Sequence, residues 1–200
     1  MADTGAPHFI PYVEPTDLVR EYPAADEASA FAVAAALEAA GGLVAVKSAI
    51  FTGVQVASVT ASNNLTVTNL SITHALADAS NKLIISAFLG AAGNSTQRGE
   101  VGIAVHDGTG LIAIGDADGS RTRVTAGGRV SRDGFSEIVT MPSVTFVHTP
   151  NTTDSKTYTV RAINISTTTR TLYINRAESD PNAESRPRAV SSLVIQEVKV

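Results

Sequence analysis

The sequence predicts a mainly β protein, in which an antiparallel β-sandwich or jelly-roll-like domain follows an extended N-terminal arm and one short Ala-rich helix. Short runs of alternating apolar and polar residues fill the chain from Leu43 to Val200, with no helical pattern between them. Clusters of Gly, Asp, Asn and Pro separate these runs at regular spacing, as in β-sandwiches. Charged residues make up only 17% of the chain, which suits sheets whose outer faces carry hydroxyl groups.

Twelve segments of this region have the pattern of β-strands. They are Leu43–Ser48, Gly53–Thr60, Leu65–His74, Lys82–Leu89, Val101–His106, Leu111–Ile114, Arg121–Thr125, Ser136–Met141, Val144–His148, Thr157–Ile165, Arg170–Asn175 and Ser192–Val200. Turns are predicted at Asp107–Gly110, Asp118-Gly119, Gly127-Gly128, Asp133-Gly134 and Thr149–Asn151. The alternation slips between Ala162 and Ile163, which suggests a β-bulge.

Residues 1–23 predict an extended arm. They hold four of the eight prolines, and proline disfavours helix at the residue before it. The arm also carries large apolar side chains, which a solvated linker does not need. We therefore expect it to lie on another protein surface, with folding back onto its own domain as the alternative. The anchoring residues would be Pro11, Tyr12, Val13, Pro15, Leu18 and Tyr22.

Residues 24–40 predict the one helix, which is rich in alanine and ends at Gly41-Gly42. Phe31, Ala34 and Leu37 share one stripe of this helix. Small residues let helices approach closely, so the stripe is a candidate for subunit association, and packing against the β-domain is equally compatible. The predicted division is an arm and helix over residues 1–42 and a β-sandwich domain over 43–200.

Composition excludes several classes of function. The chain has no cysteine, which excludes disulfides and thiolate sites. A net charge of -4 with scattered basic residues argues against nucleic acid as a partner. No apolar run approaches the length of a membrane-spanning helix, and we expect no membrane insertion. Five sequons are interpreted as by-products of a Thr- and Asn-rich sequence; they begin at Asn64, Asn69, Asn94, Asn151 and Asn164.

No catalytic, cofactor or metal constellation is visible, so we predict a protein that is not an enzyme and needs no cofactor. The four histidines are His8, His74, His106 and His148, far apart in sequence, and three of them end predicted strands. Asp116–Gly119 begins like a calcium loop but lacks the later ligands, which favours a hairpin turn. Two polar loops, residues 176–188 and Gly90–Glu100, are open both to a recognition role and to a merely solvated one.

Two stretches resemble proteins of tailed bacteriophages. The segment Ile10–Ala24, followed by the Ala-rich helix, resembles the "P-Y-x-E-P-T-D-L-V" arm of small tail-fibre and minor tail proteins. The C-terminal order, with Leu172–Arg176, a polar loop and then Ser191–Val198, is similar to the end of β-sandwich domains in phage tail proteins. Ala79–Ile85 matches the same pattern.

This resemblance implies a virion component, a homotrimer with its N-terminus attached to other virion proteins in the tail or capsid. The expected function is a tail-associated fibre or receptor-binding protein, with a host surface glycan or protein as a further partner. A capsid decoration protein or head fibre is the alternative. A polysaccharide-degrading tail enzyme is the third reading, against which the lack of an obvious acid pair counts.

Overall fold

The computed structural model describes residues 42–95, 98–131, 139–182 and 188–200. All regular secondary structure in these residues is β. The twelve strands are β1 (Leu43–Phe51), β2 (Gln55–Val59), β3 (Asn64–His74), β4 (Lys82–Phe88), β5 (Ala92–Asn94), β6 (Arg98–His106), β7 (Leu111–Ile112), β8 (Ala126–Ser131), β9 (Ser143–His148), β10 (Lys156–Asn164), β11 (Arg170–Ile174) and β12 (Ser191–Val198). The predicted fold class is confirmed.

The strands form two antiparallel sheets that pack together. Sheet A has the order β1-β12-β4-β9, and sheet B has the order β2-β11-β5-β6-β10-β3, with β7 and β8 also paired to β6. Alternation sets which face is buried, as in β12, where every second residue from Ser191 to Glu197 is buried. The largest fully buried apolar residues include Leu70, Leu83, Ile85, Ile103, Tyr158, Leu172, Leu193 and Ile195.

Eight of the strands pair as if one long hairpin had been rolled up. The hairpin pairs are β1–β12, β3–β10, β4–β9 and β6–β8. Two further pairs, β12–β4 and β10–β6, join the hairpin to itself in sheets A and B. This is the pairing of a jelly roll, a two-sheet arrangement of eight strands. The other four strands are short additions to sheet B.

Two predictions about residues 121–128 are wrong. Arg121–Thr125 is not a strand, and Gly127-Gly128 is not a turn but part of β8. A Cβ on Gly127 would lie 2.8 Å from Cα of Gly102 on β6. These glycines therefore let two paired backbones approach where side chains would collide.

The segment Gly90–Glu100 was predicted to be a polar loop, and this is also wrong. It contains β5 and the start of β6, and Ala91–Asn94 are buried. Strand β5 has weak intrinsic β propensity but is held from two sides, by β11 and by a bridge from Ala92 to Thr140. The predicted strand Ser136–Met141 lies partly outside the described residues, and Thr140 contributes only this bridge.

The irregularity predicted between Ala162 and Ile163 lies elsewhere. Thr159 pairs with Ser71 and Arg161 with Thr66, so the extra residues belong to β3. The other predicted turns that fall on described residues, Asp107–Gly110, Asp118-Gly119 and Thr149–Asn151, lie outside the strands as expected. Asp133-Gly134, the predicted arm and the predicted helix fall outside the described residues.

Candidate functional site

Three histidines lie at one end of the sandwich, which we call the histidine end. His74, His106 and His148 are the last residues of β3, β6 and β9, as predicted. The first residue of β1, Leu43, pairs with Val198 at this same end. The starts of β3 and β9 lie at the opposite end.

Glu197 is the centre of a buried polar cluster at the histidine end. Its carboxylate is 2.8 Å from Nε2 of His74 and accepts hydrogen bonds from the backbone N–H of Ala77 at 2.8 Å and from Nδ2 of Asn81 at 2.6 Å. Burial alone would raise the pKa of Glu197, but these hydrogen bonds and the attraction of His74 outweigh it and lower the pKa. The cluster fixes the β3–β4 connection to β12.

A second polar cluster is centred on Asp107, just after β6. Its carboxylate accepts hydrogen bonds from Thr109 N–H at 2.9 Å and Gly110 N–H at 3.0 Å, and it lies 2.7 Å from Nζ of Lys156. Burial opposes ionisation, but these contacts lower the pKa of Asp107 to about 2. Burial also lowers the pKa of nearby His148, with Asp107 opposing and Lys156 reinforcing the shift.

These clusters have the contacts of structural groups that close turns. Nδ1 of His74 and Nε2 of His148 are buried, and neither has a hydrogen-bond partner among the described residues. Across the described ranges, no three His, Asp or Glu side chains are arranged to hold a metal ion.

A groove on the outer face of sheet B is the more open candidate site. The segment 113–125 lies across this face above Gly102, where a Cβ would come within 2.5 Å of Cγ1 of Val124. Backbone hydrogen bonds join Gly115 to Val124 at 3.1 Å and Thr125 to Ile103 at 3.0 Å. The Ser62 and Thr122 hydroxyls, 2.8 Å apart, connect the segment to the start of β3.

The groove has a volume of about 330 Å³ and combines polar walls with an apolar floor. Its lining residues are Ser62, Asn64, Leu111, Ile114, Ser120, Arg121, Thr122, Arg123 and Ile163. Ile163 is 2% exposed because this segment covers it, which also explains why Ala162 and Ile163 are both buried. Hydroxyl, amide and guanidinium groups above aliphatic side chains can bind a ligand that carries hydroxyl groups and negative charge.

Two arginines, Arg121 and Arg123, line the groove and give it positive charge. Arg121 pairs with Asp118 at 2.6 Å, and its side chain is 81% exposed. Nε of Arg123 donates to the carbonyl oxygen of Gly115 at 2.6 Å. Arg161 on β10 does not line the groove; it donates to Asn64 and Thr66 on β3, and its buried Nε has no hydrogen-bond partner in the part of the chain that the structure describes. Asp118–Arg121 is closed by a backbone hydrogen bond of 3.2 Å, so a turn is present, but it does not join two strands as a hairpin turn would, because Arg121–Thr125 is not a strand.

The charged loop 176–188 is less open than its composition indicates. Arg176 and Arg188 both pair with Asp180, at 3.4 and 2.6 Å, and the side chain of Asp180 is only 11% exposed. Arg176 also lies 5.4 Å from the centre of the Tyr173 ring. Residues 183–187 lie outside the described ranges, so the loop remains a rival recognition site.

Sequence reasoning did not find the groove, because its two walls are about sixty residues apart in the chain. The available signal was the pair Arg121 and Arg123 in a hydroxyl-rich segment, which alternation made resemble a strand. The predicted anchoring residues Pro11, Tyr12, Val13, Pro15, Leu18 and Tyr22 all fall outside the described residues. The predicted helix stripe of Phe31, Ala34 and Leu37 falls outside them as well.

No protein-family model matches this chain, and no curated protein matches it in sequence. The part of the chain that the structure describes contains no helix long and apolar enough to cross a bilayer.

Proposed function

We propose that this chain is a structural protein of a bacteriophage virion, a tail-associated receptor-binding protein whose groove on sheet B binds an anionic glycan of the host surface. The N-terminal arm attaches the protein to other virion subunits in this proposal, and the β-domain carries the recognition site. No enzymatic step is assigned to it.

The groove is the observation that carries the proposal. A glycan presents many hydroxyl groups, and Ser62, Asn64, Ser120 and Thr122 offer donors and acceptors to them. Arg121 and Arg123 offer charge-assisted hydrogen bonds to a carboxylate or phosphate. Leu111 and Ile114, which are half-buried, provide the apolar surface on which the carbon face of a sugar ring can pack.

The fold is compatible with the proposed function but is not the main argument for it. Jelly rolls serve as viral capsid and lectin domains, but one fold hosts many functions.

Binding of the fluorescently labelled full-length protein to host cells tests the site. Arg121→Ala removes a guanidinium whose protein partner is the exposed Asp118, so the fold should be unaffected. We expect about a tenfold loss of affinity, the value of one charge-assisted hydrogen bond.

The matched control is Arg188→Ala, because Arg188 also forms a 2.6 Å ion pair, with Asp180, but lies in the rival loop. Full binding by Arg188→Ala together with loss by Arg121→Ala supports the groove. The reverse result would move recognition to loop 176–188. Equal binding by wild type and both variants, or no binding at all, would overturn the groove as receptor site.

A further inference from the structure

The outer face of sheet A, which we call the apolar face, carries apolar side chains at eight of its fifteen outward positions, and no described residue covers it. Its outward positions are Val44, Val46, Ser48 and Ile50 on β1, Ser192, Val194, Gln196 and Val198 on β12, Lys82, Ile84, Ser86 and Phe88 on β4, and Ser143, Thr145 and Val147 on β9. Val46 is 53% exposed, and Ile50 and Val147 are each 61% exposed. Lys82 is the one charged side chain among these positions.

The strand register concentrates the apolar side chains in one row. Val46 on β1 pairs with Gln196, which pairs with Ile84 on β4, which pairs with Val147 on β9. The row therefore crosses all four strands, with aliphatic side chains at three of its four positions. A neighbouring row is hydroxylated, and the Ser86 and Thr145 hydroxyls in it are 3.0 Å apart.

On strands β3 and β10, the outer face of sheet B carries mainly hydroxyl side chains, and it serves as a comparison for sheet A. The outward positions on the neighbouring strands β3 and β10 include Thr66, Thr68, Ser71, Thr73, Thr157 and Thr159. Threonine and valine fit a strand almost equally well, so the choice between them reflects the surroundings of the face more than the needs of the strand. Sheet B also exposes Val56 on β2, so the contrast is between the threonines of β3 and β10 and the valines and isoleucines of β1, β4 and β9. It indicates that the face of sheet A is covered in the working protein.

Strand β1 adds an open edge to this face. It is nine residues long, and no described strand pairs with the edge that faces away from β12. Natural edge strands are protected by proline, charge, bulges or short length. Strand β1 has no proline, its register irregularity lies at its start, between Leu43 and Ala45, and its one charge is Lys47, whose Nζ donates to the carbonyl oxygen of Thr73 at 2.8 Å. The part of the edge from Val46 to Phe51 therefore carries neither proline nor bulge. The edge borders the apolar face, so one partner can cover both.

Area and charge favour a second copy of this chain as that partner. Four strands about 4.8 Å apart and about 20 Å long give a flat area of about 400 Å². This is about half of the ~800 Å² that each partner buries in a standard interface. The face is therefore large enough to be the apolar centre of an interface, and the β1 edge would supply further contact area around it. Because the face carries almost no charge, symmetry can place it against its own copy without repulsion between like charges.

We propose that copies of this protein associate through the outer face of sheet A and the open edge of β1. The outer face of sheet B then remains free, with its groove exposed. This inference is independent of the glycan proposal, because it concerns the other sheet and is tested by mass.

Light scattering of the full-length protein measures that mass directly. We expect wild type to have a whole multiple, at least two, of the 20.7 kDa chain mass. The double variant Val46→Glu, Val147→Glu puts like charges at both ends of the apolar row and should reduce the mass to one chain. Thr68→Glu, Ser71→Glu is the matched control: it adds the same charge to exposed positions of sheet B and should leave the multiple intact.

Two further measurements test whether association depends on sheet A or on the predicted helix. The Phe31→Glu, Leu37→Glu variant tests the predicted helix as the source of association. The chain has no cysteine, so Val46→Cys alone, treated with a bismaleimide, should cross-link subunits where Thr68→Cys does not; this holds even if the double variant fails to fold. Wild type of one-chain mass, loss of association only on changing the helix, or equal cross-linking at both positions would overturn the proposal.

Discussion

At the scale of single residues, the polar groups buried in this domain are placed to hold backbone. Asn164 and Asn175 are both fully buried, and their Nδ2 groups donate to carbonyl oxygens of the chain near Val59 and Phe51 at 2.8–2.9 Å. Asn175 adopts a φ of +63°, which asparagine tolerates better than most residues. Asn94 and Asn164 are buried, so these two sequons are inaccessible in the folded chain, which agrees with their interpretation as by-products.

Asp107 should make stability depend on pH. Its pKa is about 2 in the fold against 3.8 when unperturbed, so its contribution is present above pH 4 and is lost as the pH falls towards 2. The shift corresponds to about 2 kcal/mol at neutral pH. Asp107→Asn keeps an acceptor for Thr109 and Gly110 but loses the charge facing Lys156.

Urea unfolding at two pH values checks this prediction. We expect Asp107→Asn to reduce the free energy of unfolding by about 2 kcal/mol at pH 7 and by about half of that at pH 3. Asp154→Asn, at an exposed position, is the control and should change little. A loss for Asp107→Asn of the same size at both pH values would contradict the assigned role of the charge.

Glu197→Gln should be more damaging, although the change in shape is small. The glutamine oxygen can still accept from Ala77 and Asn81, which both donate to Oε1, but an uncharged amide nitrogen replaces the Oε2 that faces His74. Breaking a buried charge cluster of this kind costs about 3 kcal/mol. Chemical denaturation at pH 7 measures the loss, and a change below about 0.5 kcal/mol, typical of a surface position, would show that the cluster is not structural.

At the scale of elements, alternation predicted the strands that have one clearly buried face and missed those held in place by their neighbours. The nine-residue strands β1 and β6 each extend three residues beyond the prediction at one end. Strands β3, β4, β10 and β12 begin and end within one or two residues of prediction because their apolar residues define one buried face. Strand β5 could not be predicted, since Ala-Gly-Asn has no such pattern and is held by its neighbours. Arg121–Thr125 was misread because a segment lying across a sheet face can have the composition of a strand.

The close approach of segment 113–125 to sheet B gives a prediction about the groove. Gly102→Ala places a methyl group 2.5 Å from Cγ1 of Val124, so the segment must shift from the sheet. We expect a loss of about 1–3 kcal/mol, as in overpacked cores, together with weaker host-cell binding.

Gly110→Ala is the matched control for this change, because a Cβ there has no neighbour within 4 Å. It should preserve both the unfolding free energy and cell binding. Normal cell binding by a Gly102→Ala protein of reduced stability would show that the position of this segment does not shape the recognition site.

At the scale of the whole molecule, the sequence was sufficient for the fold class but not for the order of strands. Regular turns and alternation define a two-sheet protein. The rolled hairpin depends on pairs such as Leu193 with Ala87, more than a hundred residues apart, and no local pattern carries that information. The groove and the apolar face are likewise products of the topology, because each collects side chains from distant strands.

The central proposal is that this jelly roll is carried on a virion and recognises the host with the face that is not used for association. Immunogold electron microscopy of intact phage particles, with antibodies against the full-length protein, tests it most directly. We predict gold at the tail, on the distal structures that contact the cell. Gold over the capsid would instead identify a decoration protein or head fibre, and particles without gold would contradict the proposal that the chain belongs to the virion.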